Sequence, residues 1–74
     1  MLLSEIKKGQ KAIVLRLDNP QKIKKRLENV GVTPGTKIVF IRKAPLGDPI
    51  EIKVRDFYLA IRLSDADKIW VKQI

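Results

Sequence analysis

The sequence predicts a mostly β fold: a small five-stranded barrel with one α-helix between strands 1 and 2 and a short helical turn before the last strand. Three observations carry that expectation. Residues 50–55, IEIKVR, alternate apolar and charged side chains with period two, as a half-buried strand requires. Four further short segments are rich in β-branched or aromatic residues and are punctuated by Gly, Pro, Asn and Asp. One stretch alone, holding Ile23, Leu27 and Val30, has its apolar residues at helical spacing.

Taken in order, the first strand is KAIVLRL, residues 11–17, entered after Gly9 and ended by Asp18, Asn19 and Pro20. Asn19 followed by Pro20 reads as a helix start. An Asn side chain can cap free backbone N–H groups, and proline needs no donor at the first helical position. The Ile23, Leu27, Val30 stripe then spans about three turns, and Gly31 stands where a left-handed C-terminal cap favours a residue without Cβ. Pro34-Gly35 suits the central positions of a type II turn and launches the second strand, Lys37 to Arg42. Two prolines and a glycine in residues 43–49, KAPLGDP, interrupt the sheet with a defined loop. After the alternating third strand, a tight turn around Asp56 leads into the fourth, Tyr58 to Leu63. Ser64 to Asp67 read as one helical turn capped by Ser64, and Ile69, Trp70 and Val71 form the last strand. Five short strands in this length suit a closed barrel, which also removes exposed sheet edges.

The 74 residues read as a single domain, 1–74, and near this size only about 60% of the unfolded chain's surface is buried on folding. Every large apolar side chain is therefore expected to have structural duty. With no cysteine, the fold must be held by packing and sheet pairing, and a reducing, cytoplasmic setting fits. The three apolar residues before Ser4 are too few for a secretory signal, and no apolar run approaches the ~20 residues of a membrane span.

Composition also bounds the chemistry. Histidine and cysteine are both absent, which removes the commonest acid–base group, the thiol nucleophile and the preferred zinc and copper ligands. No enzyme, cofactor or tight metal site is expected. Asp18, Asp48, Glu51, Asp56, Asp65 and Asp67 could bind a hard cation through oxygen, but their spacing matches no calcium loop. Asp65 and Asp67 are explained as acids at the start of a helical turn. GVTPGTK, residues 31–37, has a superficial likeness to a phosphate-binding loop. It is one residue short of that spacing, and it leaves a helix for a strand instead of the reverse.

Two surface features remain. The net charge of +8 sits entirely in residues 1–43, which hold eleven Lys and Arg against three acids. Lys22, Lys25 and Arg26, with Lys24 nearby, form the densest cluster on the predicted helix. That cluster is either a solvated face opposite the apolar stripe or a contact for an acidic protein, an anionic membrane surface or nucleic acid. The second feature is the loop Ala44, Pro45, Leu46, Gly47, Asp48, Pro49, whose prolines restrict the backbone on either side of Leu46. A preordered loop binds a partner at lower entropic cost. Alternatively, Leu46 folds back to cover the barrel end.

These residues resemble the FeoA family, small cytosolic accessory proteins of bacterial ferrous-iron transport. The matching pattern includes Leu3 and Gly9, Arg26-Leu27, the turn Val30-Gly31-Val32-Thr33-Pro34-Gly35 and the loop Ala44 to Ile50. It continues through Leu59-Ala60-Ile61-Arg62 to Ala66, Ile69 and Val71, and so runs essentially end to end. Asp56 stands where a turn glycine is frequent, and Ile61 where Leu is. The resemblance implies an SH3-like barrel, a fold similar also to the C-terminal domain of iron-dependent repressors. It further implies an accessory or regulatory role that docks on the cytosolic GTP-binding region of the ferrous-iron permease FeoB. Recruitment to the inner membrane face would follow from that partner. The alternative is a small basic barrel that binds nucleic acid, carried by charge alone. A third reading is weak carboxylate binding of a transition metal near Asp48 or Asp65.

Overall fold

The computed structural model describes all 74 residues. It contains β1 (Lys11–Leu17), α1 (Gln21–Asn29), β2 (Lys37–Lys43), β3 (Ile50–Val54), β4 (Phe57–Ile61), α2 (Leu63–Ala66) and β5 (Ile69–Gln73). The elements come in the predicted order. A 3₁₀ turn at Leu3–Glu5 precedes them; three residues are too few to show a period in the sequence. The fourth strand and the helical turn each begin one residue earlier than predicted, and the last strand runs two residues further.

All pairings are antiparallel, and the sheet order is β4-β3-β2-β1-β5. No ladder joins β4 to β5, so the SH3-like barrel is held by packing along that seam and not by a fully closed ring of hydrogen bonds. Leu2 bridges to Trp70 and covers part of the β5 edge, whereas β4 pairs only with β3. Two bulges curl the sheet. In β1 the register shifts between Val14 and Arg16, and in β2 between Phe40 and Arg42. The β1 bulge leaves Leu15 half exposed and returns Leu17 to the face shared by Ala12 and Val14. Without that extra residue, period two would turn Leu17 outward.

The inner face holds one core of 16 buried side chains, among them Leu3, Val14, Ile38, Phe40, Ile50, Ile52, Val54, Ile69 and Val71. Burying each of the larger ones contributes roughly 1.5–3 kcal/mol, and with no disulfide this is the principal stabilising term. Helix α1 packs Leu27 into that core, with Ile23 and Val30 partly buried against it.

The start of α1 differs from expectation. Asn19 does not cap it; the residue is buried, and its side-chain Nδ2 donates to the Asp65 carbonyl at 3.0 Å, tying the entry of α1 to α2. Asn19 is itself buried, so its amide needs a protein partner, whereas helix N–H groups that water can reach do not. The end of α1 is as predicted. Gly31, at φ 101°, donates to the Glu28 carbonyl and Val32 donates to the Leu27 carbonyl. This is a Schellman closure, with Val32 and Leu27 both buried beside it. Pro34-Gly35 also forms its turn, with Thr36 N–H donating to Thr33 O and Gly35 at φ 90°. The β3–β4 hairpin turns on Arg55-Asp56, and Arg55, not Asp56, takes the positive φ of 54°.

Gly31→Ala is expected to lower stability by about 1–2 kcal/mol, because a Cβ there faces left-handed strain. Urea denaturation will read this as a lower midpoint at unchanged slope.

Candidate docking site

The loop between β2 and β3 is a built structure. Ala44, Pro45, Leu46 and Gly47 form a tight turn closed by Gly47 N–H donating to the Ala44 carbonyl at 2.7 Å. Proline at the second position and glycine at the fourth are the residues a type I turn favours. Ala44 N–H then donates to the Pro49 carbonyl at 2.9 Å and closes the base. A third tie is long-range: Asp48 Oδ1 accepts the Leu63 backbone N–H at 2.9 Å, the first amide of α2. Asp48 thus supplies the cap that the sequence assigns to Ser64, because a carboxylate brought in from the loop reaches an amide that the Ser64 side chain does not meet. Held by these three bonds, Leu46 stands 97% exposed at the tip. It does not cover the barrel end.

The loop continues into a larger surface. Asp48 and Pro49 share a shallow cleft with Arg62. Arg62 also lines a second cleft of about 210 Å³ between α1 and β4, floored by Ile23, Leu27, Val30 and Leu59. Arg26 lines the same cleft. The fold therefore brings the proline-bounded loop and one member of the basic cluster onto one continuous surface, with Arg62 as the link. Lys22 and Lys25 are exposed on α1 but line neither cleft. Arg62 and Leu59 were not identifiable as candidates from the sequence, since only the packing of α1 against the β4 side makes their neighbourhood.

Trp70 is half-buried on the outer face, where its Nε1 donates to Asp18 Oδ2 at 2.8 Å and the Arg16 guanidinium lies 4.8 Å from its ring centroid. Arg16 Nε meets Asp18 as well, at 3.3 Å. This cluster ties β1 to β5. The carboxylates do not converge: no three of them form a group that could hold a metal ion. Asp48 caps α2, Asp18 serves Trp70 and Arg16, and Glu51 meets Arg42 at 3.6 Å. No helix is long and apolar enough to cross a membrane.

Comparison with known proteins gives a consistent picture. The FeoA domain family matches residues 1–73. All 74 residues align, at 34% identity, with the Fe(2+) transport protein A/Fe(2+) transporter FeoB fusion protein of Porphyromonas gingivalis, of whose length the chain spans only 9%. The solution structure of the FeoA protein from Chlorobium tepidum is similar at a TM-score of 0.96 and 36% identity, covering 100% of this chain and 70% of that one. A zinc complex of Stenotrophomonas maltophilia FeoA is similar at a TM-score of 0.85 and 28% identity, over 97% of this chain and 89% of that one. That protein is described as a prokaryotic SH3 domain and suggested as a ferrous-iron transport activating factor.

Asp48→Ala is expected to cost about 1 kcal/mol, the usual worth of a helix cap. Hydrogen exchange at the Leu63 amide should accelerate more than exchange in β1.

Proposed function

Because this chain belongs to the FeoA family, whose members are related to ferrous-iron transport, we propose that it is a non-catalytic accessory module of that process. It acts in the cytoplasm by docking on the GTP-binding region of the FeoB permease, and its partner holds it near the membrane. The fusion protein of Porphyromonas gingivalis carries this reading, since a sequence matching the whole chain is there joined covalently to FeoB. Covalent joining holds two modules at high mutual concentration, which favours contacts between them.

The surface has the form such a contact needs. Leu46 supplies an apolar anchor on a backbone already held by three hydrogen bonds, so little loop entropy is lost on binding. Beside it, the α1–β4 cleft offers apolar area, and Arg26 and Arg62 can meet carboxylates at its rim. With neither histidine nor cysteine, the chain contributes recognition and leaves iron passage and GTP chemistry to the permease.

Leu46→Ala should raise the dissociation constant for the purified cytosolic domain of FeoB by roughly tenfold or more, the loss of most of one leucine's burial. Titration calorimetry on a variant with an unchanged far-UV spectrum measures it. An unaltered constant would remove the loop from the contact.

A further inference from the structure

A second field of cations in the folded chain lies away from α1. Strand register assembles it on the outer face of the sheet, from residues far apart in sequence. One row of directly opposed residues runs Lys11, Val39, Lys53, Tyr58 across β1, β2, β3 and β4. The next row runs Lys72, Ile13, Lys37 across β5, β1 and β2. Arg55 joins Lys11, Lys37 and Lys53 around a shared shallow groove. Five cations thus surround the half-buried side chains of Ile13 and Val39, with Tyr58 61% exposed at one side.

Neither row contains a carboxylate. The two ion pairs of the chain, Arg16–Asp18 and Arg42–Glu51, use none of these five cations, and Glu51, the acid next along β3, is already met by Arg42. Strands lie about 4.8 Å apart, so Lys11 and Lys53 project from positions roughly 10 Å apart, near the screening length at physiological salt. Like charges held at that spacing repel one another and gain most from a broad anionic partner.

We infer that this face is a docking surface for the anionic headgroups of a lipid bilayer. The inference stands on the charge of the face and uses neither the 44–49 loop nor the permease. Three features favour lipid over nucleic acid. Four of the five cations are lysines, compact point charges on flexible stems instead of the forked guanidiniums favoured for fixed phosphate geometry. They surround a broad sheet face and are not interleaved with several stacking aromatics; Tyr58 is the one aromatic in the two rows, with Lys53 Nζ 5.8 Å from its ring centroid. An amphipathic tyrosine among lysines suits the headgroup layer.

The test is co-sedimentation of the whole chain with vesicles of phosphatidylglycerol and phosphatidylcholine in equal parts, and with vesicles of phosphatidylcholine alone, at about 50 mM and about 300 mM salt. Binding is expected to the anionic vesicles only, and to fall steeply at the higher salt. Each basic residue at an anionic surface multiplies the partition by roughly fivefold, so Lys37→Gln with Lys53→Gln should weaken it about 30-fold. Lys22→Gln with Lys25→Gln removes the same charge from α1 and should change it by less than about threefold. Absence of wild-type binding at low salt overturns the proposal without recourse to any variant, and an equal loss from the α1 pair overturns it by making net charge the cause. A single-stranded oligonucleotide that binds more tightly than the vesicles, through Lys37 and Lys53, would reassign the face to nucleic acid. Binding to the FeoB cytosolic domain, measured separately, should be unaffected by the sheet pair.

Discussion

Strand alternation around a single core is the constraint on which the rest of this structure depends. A curled sheet has only one inner face, and 74 residues without a disulfide cannot leave that face underfilled. Val14, Ile38, Ile52 and Val71 are therefore committed inward, and their immediate neighbours Ile13, Val39, Lys53 and Lys72 are committed outward by the same period. The bulge at Leu15 shows how strictly this operates: one inserted residue restores Leu17 to the core. Function is left to whatever the packing does not claim, namely the outer sheet face, the ends of the barrel and the cleft beside α1.

Within that frame the 44–49 loop is a rigid projection. Its turn is local, made by Pro45 and Gly47, but its orientation is tertiary, because the Asp48 carboxylate reaches α2. The same short helix also receives the Asn19 side chain through the Asp65 carbonyl. Four residues of α2 thus connect the entry of α1 to the 44–49 loop, and a helix too short to be stable alone is held by contacts at both of its ends.

Much of this was legible in the residues. The strands, the Gly31 closure and the Pro34-Gly35 turn follow from local chemistry that acts over three or four positions, and the family resemblance follows from the same segments. The loop was legible as an interruption, and Leu46 as its prominent residue. What the sequence did not display depends on separation. Asn19 looks like a cap until Asp65, 46 residues away, competes for its amide. Arg62 acquires its place only when α1 lies along the β4 side. The basic helix draws attention because Lys22, Lys24, Lys25 and Arg26 are adjacent in sequence, whereas Lys11, Lys37, Lys53, Arg55 and Lys72 are dispersed until register aligns them.

The proposed contact of this recognition module with FeoB is the loop together with the α1–β4 cleft. The most direct measurement is a map of backbone amide shifts in the ¹⁵N-labelled chain during titration with the unlabelled FeoB cytosolic domain, with and without GTP. The account predicts shifts at Leu46, Gly47, Asp48, Arg26, Leu59 and Arg62, and none along the outer sheet face. Shifts confined to other surfaces, or none at saturating domain, would contradict it.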